Sequence, residues 1–280
     1  MTSEQRSDSI AKGERFRALH QSGIFIMPCA WDAMSALLFQ QAGFEAIGTT
    51  SGGVNWSNGQ SDYVYGTPSA EMLANYGRIA AATKLPVSGD LENGYSDQLD
   101  AVADVVRQAI DAGLVGGSIE DHSTTTTSGL LPVDLAAAKI QTAREAADAS
   151  GITFTVTARA ESFYADVADP LADAIARANR YADAGADCIF IPGLADLETI
   201  RAVTREVSAP LSLGIGSGGG TMSLEDLAEA GVRRVSTGGA LPRAIYAFIQ
   251  NASRSMLAGS FESMSGAISE ADVNVLIGLR

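Results

Sequence analysis

Lysine is almost missing from this chain. Three occur in 280 residues: Lys12 near the N-terminus, Lys84 ahead of an apolar run, and Lys139 inside an alanine-rich stretch. A Schiff-base aldolase or a pyridoxal-type enzyme needs a lysine at its reacting centre, and none of the three stands where a strand gives way to a loop. Histidine is scarcer still, and His20 and His122 cannot build a three-histidine zinc site. The two cysteines, Cys29 and Cys188, lie in the apolar runs IFIMPC and DCIFIP and read as buried thiols rather than a disulfide framework. No run approaches the roughly 18 apolar residues of a membrane span, and MTSEQRSDSIAKGER has no apolar signal core. These absences predict a soluble, cytoplasmic protein.

Positive charge is short as well. Lys and Arg number 19 against 33 Asp and Glu, for a formal net charge of -14. Nucleic acid and anionic membranes are therefore poor partners. An acidic protein that handles an acidic small molecule must gather positive charge locally, through an arginine, a backbone nest or a metal.

One phrase recurs along the chain: a short apolar run, a polar or glycine-rich loop, then an alanine-rich helix. The spacing predicts strands over 24–29, 45–48, 85–89, 115–119, 153–157, 187–191, 210–214 and 233–236. Helices are expected over 31–42, 68–83, 99–112, 134–149, 169–184, 195–206, 223–230 and 239–256. Several end alike, in QAGFEAI, DAGLVGG, DAGADCI and EAGVRRV, where glycine supplies a left-handed cap. Eight such units favour a closed parallel (β/α)8 barrel over a doubly wound open sheet. The expected organisation is a polar N-terminal segment and helix over 1–20, the barrel over 21–258, and a helical extension over 259–280 apolar enough to pack on a neighbouring subunit.

A barrel confines chemistry to the carboxyl ends of its strands. There stand Asp62 in the long second loop, Asp90 and Glu92 after the third strand, Glu120 and His122 after the fourth, and Arg159 and Glu161 after the fifth. His122 reads equally as a surface residue, Asp32 as a simple helix cap, and GIGSGGG over 214–220 as a phosphate cradle or a plain loop. Asp62, Asp90, Glu92 and Glu120 in one mouth would repel each other and raise their pKa values. A surface acidic patch is the bland alternative. A hard cation removes the penalty, and Mg2+, with Mn2+ as a substitute, takes few carboxylates directly and keeps waters. Asp90 is the expected direct ligand, with Asp62, Glu92 and Glu120 holding its waters. Arg159 can bind a carboxylate or polarise a keto oxygen, and backbone N–H groups at Ser51, Gly52 and Gly53 can hold a developing oxyanion. That set suits a 2-oxo acid.

In order between about residue 24 and residue 250, GTTSGGV, GDLENGY, GSIEDH, TARAES, DCIFIPG and RVSTGG resemble the isocitrate lyase/phosphoenolpyruvate mutase superfamily. The resemblance implies an (α/β)8 barrel with a C-terminal helix swapped between subunits, a dimer or tetramer, bound Mg2+, and C–C or P–C bond chemistry beside a pyruvate enolate. Its D-x-[DE]-x-G-[YF] motif matches Asp90, Glu92, Gly94 and Tyr95, with the first acid as metal ligand. Its E-D motif matches Glu120 and Asp121, its strand arginine Arg159, its oxyanion stretch Ser51, Gly52 and Gly53, and its loop aspartate Asp62. Many relatives carry asparagine on the seventh strand; PLSLG puts Ser212 there as a substrate contact. The lyases' K-[KR]-C-G-H loop is replaced here by HSTTTTSGLLP, with no lysine and no cysteine. Isocitrate and methylisocitrate cleavage is thereby disfavoured. The reading that remains is a Mg2+-dependent carbon–carbon lyase or decarboxylase of a small 2-oxo or 2-hydroxy di- or tricarboxylate. A serine, a threonine, His122 or water would relay the proton, and the 122–131 loop would close over the ligand. A P–C bond enzyme and a non-catalytic 2-oxo acid binder are the alternatives.

Overall fold

The computed structural model describes residues 1–62, 65–215 and 222–278. It begins with helix α1 (Ser3–Leu19). Strand–helix units follow: β1 (Phe25–Met27), β2 (Cys29–Ala30), α2 (Ala33–Gln41), β3 (Ile47–Thr49), α3 (Ser51–Ser57), α4 (Ser69–Ala82), β4 (Val87–Asp90) and α5 (Leu99–Asp111). The second half holds β5 (Gly116–Glu120), α6 (Val133–Ser150), β6 (Thr155–Arg159), α7 (Pro170–Asp183), β7 (Cys188–Phe190), α8 (Leu197–Glu206), β8 (Leu211–Gly214), α9 (Leu224–Glu229) and β9 (Val232–Ser236). Helices α10 (Ala240–Leu257) and α11 (Glu270–Ile277) end the chain.

Every strand pairing is parallel, and the order β1-β9-β8-β7-β6-β5-β4-β3-β2 closes through one chain segment. Pro28 divides that segment. It has no N–H to donate, yet its carbonyl accepts the Gly48 N–H at 2.9 Å. β1 thus pairs with β9 and β2 with β3, and residues 25–30 act as one barrel strand. This is the (β/α)8 barrel with extra C-terminal helices that the strand–helix alternation anticipates.

The helices bury stripes at helical spacing. In α5 the inward residues are Val102, Val105, Val106, Ala109 and Ile110. Gly113, at φ 92°, then turns the chain toward β5. α1 packs across the amino-terminal ends of β5 and β6. Phe16 is fully buried there, and a Cβ on Gly13 would lie 2.0 Å from the Thr153 carbonyl.

Three features depart from the sequence pattern. α3 occupies a stretch that reads as loop, because Gly52 and Gly53 are weak helix formers; the Thr50 hydroxyl caps it by accepting the Gly53 N–H at 3.3 Å. Lys139 is fully buried, its ammonium donating to the Asn93 carbonyl at 3.0 Å and to Asp97 at 2.9 Å. Asp97 thus anchors the DLENGYSD turn. The barrel interior is lined by small and hydroxylic residues, among them Gly48, Ser88, Ser118 and Thr157, where barrels usually carry branched aliphatics. At the far end, Ile245, Phe248 and Ile249 of α10 and Phe261, Ile268 and Val275 beyond it stay exposed.

Candidate active site

The carboxyl ends of the strands surround a cavity of about 590 Å³. Asp62, Asp90, Glu92, Glu120, His122 and Arg159 all line it. β4 delivers Asp90 to the rim, where its N–H donates to Thr49 Oγ1 at 2.9 Å and its carbonyl accepts the Tyr76 hydroxyl at 2.8 Å. Its Oδ2 accepts both the N–H (3.0 Å) and the hydroxyl (2.8 Å) of Ser51. The serine expected to stabilise an oxyanion therefore first locks this carboxylate. Gly52 packs so closely that an added Cβ would lie 2.6 Å from Asp62 Oδ2. A side chain there would push Asp62 away.

Two residues beyond Asp90 the backbone turns left-handed, and Glu92 adopts φ 48°. The twist folds its side chain inward, leaving 5% of the residue exposed. Oε2 of Glu92 is buried with no hydrogen-bond partner among the described residues. Burial, reinforced by Asp90, Glu120 and Asp62, pushes its pKa up to about 8. Glu120 at the end of β5 is also buried. Its carboxyl lies above the usual range because desolvation outweighs the Arg159 guanidinium.

Arg159 is held between two carboxylates. Nη1 meets Glu120 Oε2 at 3.0 Å, Nε pairs with Glu161, and the guanidinium carbon sits 5.2 Å from the centre of the Phe190 ring. The N–H of Glu161 donates to Asp121 Oδ1 at 2.9 Å. Asp121 faces away from the cavity and accepts the Tyr181 hydroxyl at 2.6 Å and Arg177 at 3.1 Å. It braces the β5 and β6 ends instead of holding ligand.

The 122–131 loop sends His122 alone into the cavity; none of its threonines lines it. The loop folds on itself, with Ser123 N–H donating to Gly129 O at 2.9 Å and the Thr126 hydroxyl to Leu130 O at 2.8 Å. His122 Nδ1 lies 2.5 Å from the Tyr65 hydroxyl, which also donates to Glu120 Oε1 at 2.7 Å. Burial, with Arg159 nearby, lowers the His122 pKa, so Nδ1–H can donate to Tyr65 while Tyr65 donates to Glu120.

Two expected contacts fall elsewhere. Ser212 is fully buried below the rim, where its hydroxyl accepts Nε of Arg234 at 2.8 Å, and it does not line the cavity. Gly214, two residues further along β8 and on the same side, reaches the rim instead. Gly53 faces Trp31 and Thr50 rather than the cavity. Asp32 caps α2, accepting the Ser35 N–H at 2.7 Å. Of the glycine-rich 214–220 stretch, residues 216–220 lie outside the described residues.

Among the described residues no three His, Cys, Asp or Glu side chains are arranged to enclose a metal unaided. Mg2+ asks for less, since it keeps several waters. An orphaned Glu92 oxygen, all-carboxylate donors and raised acid pKa values fit such an ion.

Sequence reasoning missed Tyr65, Arg234 and Arg243 as lining residues and gave Glu161 no role. Only Arg234 carried a signal, as a charged residue within a predicted strand.

A family model described as phosphoenolpyruvate phosphomutase matches residues 16–257. An uncharacterized protein of Mycobacterium tuberculosis is 39% identical over 226 residues, covering 80% of this chain and 81% of that one. The 2-methylisocitrate lyase of Halalkalibacterium halodurans is 32% identical over 241 residues, covering 83% and 77%. A solved Burkholderia cenocepacia structure, described as of lyase/mutase type, superposes with a TM-score of 0.91 at 42% identity, covering 96% of both chains.

Proposed function

The chain belongs to the isocitrate lyase/phosphoenolpyruvate mutase superfamily, and from that premise we propose a Mg2+-dependent carbon–carbon lyase or decarboxylase. Its substrate is a small 2-oxo or 2-hydroxy di- or tricarboxylate that passes through a pyruvate-type enolate. The observation that carries this reading is the cluster of Asp90, Glu92 and Glu120 around one cavity that also holds Arg159. Asp90 would hold the ion directly, and Asp62, Glu92 and Glu120 through water. When bound, Mg2+ supplies Lewis-acid withdrawal of electrons from a keto oxygen.

The chain's own residues do the rest. Arg159, fixed by Glu120 and Glu161, orients the substrate carboxylate. When the bond at C3 breaks, its electron pair moves into the enolate. A proton must then reach C3, or leave a 2-hydroxyl in the retro-aldol variant. Tyr65 is placed to relay that proton: as its hydroxyl proton leaves, His122 would pass Nδ1–H to it while the ring takes a proton from water at Nε2, and in the reverse direction Glu120 can accept from the hydroxyl. This pair stands in for the missing lysine–cysteine loop. The 122–131 loop brings no cation to the cavity, which weighs against handling a phosphonate. The exposed apolar face of α10 and the C-terminal segment supports a homo-oligomer, dimer or tetramer.

The test is a panel of 2-oxo and malate-type acids with Mg2+ or Mn2+, read for CO2, pyruvate or glyoxylate. Turnover of at least one diacid, abolished by Asp90→Ala, is expected. Phosphate release from phosphonopyruvate with no carbon–carbon cleavage would overturn it.

A further inference from the structure

Arg234 is a cation that the chemistry above does not use. It stands on β9, in register with Ser212 on β8 and Phe25 on β1. Arg159, Phe190, Ser212 and Arg234 are successive register partners across β6, β7, β8 and β9. Two guanidinium groups therefore face one cavity, the first at the rim and the second deeper in the barrel.

The partners of Arg234 are all neutral. Nε donates to Ser212 Oγ at 2.8 Å, Nη1 to His20 Nε2 and Thr157 Oγ1 at 3.2 Å each, and Nη2 to the same threonine at 3.2 Å. His20 donates its Nδ1–H to the Phe16 carbonyl at 2.9 Å, which leaves Nε2 free to accept. Burial, with Arg234 adding to it, pushes the His20 pKa down to about 3, so the ring offers no negative charge and no counterion. Among the described residues no carboxylate lies within 4.0 Å of the Arg234 guanidinium. These bonds use four of the five N–H groups of an arginine; the second N–H of Nη2 has no partner among the described residues.

A charge at 3% exposure without a counterion is costly. Leucine or valine would fill the same space as ordinary barrel interiors do, without that cost. The space in front of Arg234 is instead open. Arg234 lines the cavity together with Met27, Ser88, Ser118 and Ser236. Ser118 sits mid-strand in β5 and is still only half-buried, because the cavity reaches it. A guanidinium held by neutral hydroxyls at the foot of an open, hydroxyl-lined cavity is prepared for an anion that the chain does not supply.

We propose that Arg234 receives the second carboxylate of a dicarboxylic substrate, which lies along the barrel axis with its 2-oxo acid end at Asp90 and Arg159. This inference rests on the rim reading given above and adds the direction in which the substrate's tail points. Arg234 is then a specificity-determining residue that favours diacids over monoacids.

The test compares binding of oxaloacetate and 2-oxoglutarate with binding of 2-oxobutyrate and 2-oxovalerate, by calorimetry with Mg2+. In the unaltered protein at least one diacid should bind about thirtyfold tighter than the monoacid of equal length, the scale of a charge-assisted hydrogen bond. Arg234→Met should erase that preference and leave monoacid affinity within about threefold. Equal binding of diacids and monoacids by the unaltered protein overturns the role of Arg234 and leaves the rim reading standing, and this comparison decides even if the variant does not fold. A diacid preference that survives Arg234→Met overturns it as well. Failure of all four acids to bind removes the rim reading and this inference together.

Discussion

The Tyr65 hydroxyl lies 2.5 Å from His122 Nδ1 and 2.7 Å from Glu120 Oε1, joining the connection between α3 and α4 to the last residue of β5 and to the loop that follows it. A phenol placed between an imidazole and a carboxylate can pass a proton in either direction. Removing that hydroxyl should therefore slow turnover more than binding. Tyr65→Phe is expected to lower kcat by about 10²- to 10⁴-fold with KM changed less than about threefold. Steady-state kinetics on the substrate found in the acid panel checks this. An unchanged kcat would remove Tyr65 from the chemistry.

Gly52 has no room for a side chain, since its Cβ would lie 2.6 Å from Asp62 Oδ2. Gly52→Ala should displace Asp62 and weaken Mg2+ binding by about 10- to 100-fold, the effect typical of losing an outer ligand. Titration with Mg2+ measures it. Thermal melts of the same variant separate this effect from any change in stability, since α3 is buried against the core.

Glu92 makes metal-free stability fall with rising pH. Its native pKa is pushed up to about 8, against an ordinary 4.5. Between those values the native state holds a proton that the unfolded chain has lost. Stability should drop across that window, by at most about 1.4 kcal/mol per pH unit. Glu92→Gln should flatten the slope, and millimolar Mg2+ should oppose it. Urea midpoints measured in steps of pH, with and without Mg2+, report both effects.

His20 acts in the opposite direction. Its native pKa is about 3 against 6.5 unfolded, so below pH 6.5 the unfolded chain gains a proton that the native ring refuses. Stability should fall as pH drops through this window, again by at most about 1.4 kcal/mol per unit. Thermal melts of His20→Gln, compared with the parent at matched pH, isolate this contribution.

Lys139 reaches Asn93 O and Asp97 from inside α6 and so holds the turn that carries Glu92. Lys139→Met should cost about 1–3 kcal/mol, chiefly by leaving the Asn93 carbonyl without its buried donor. It should also weaken Mg2+ binding, although Lys139 touches no ligand. Denaturant unfolding and a Mg2+ titration of the same sample separate the two effects.

What the sequence reveals and what it hides have physical causes. Asp90, Glu120 and Arg159 are readable because each ends an apolar run, and closing a parallel barrel gathers strand ends at one mouth. The barrel itself follows from eight repeated units and their glycine-capped helices. Ser212 misleads because PLSLG does not show that its hydroxyl is taken by Arg234 on the neighbouring strand. Tyr65 is hidden because its position depends on a φ of 47° in a loop with no periodic pattern. Lys139 resembles any polar residue of an amphipathic helix until α5 and the turn before it bury it. Arg234 stands in plain view in RRVS, but only the register shows that it points into the barrel.

The central claim is a cation seated at Asp90 with a 2-oxo acid beside it. Anomalous scattering from a crystal soaked in Mn2+ and oxalate tests it most directly. One peak about 2.0–2.3 Å from an Asp90 carboxylate oxygen, with Glu92 and Glu120 reaching it through waters and oxalate against Arg159, is the expected result. A peak elsewhere, or oxalate bound at full occupancy with no ion beside Asp90, would contradict it.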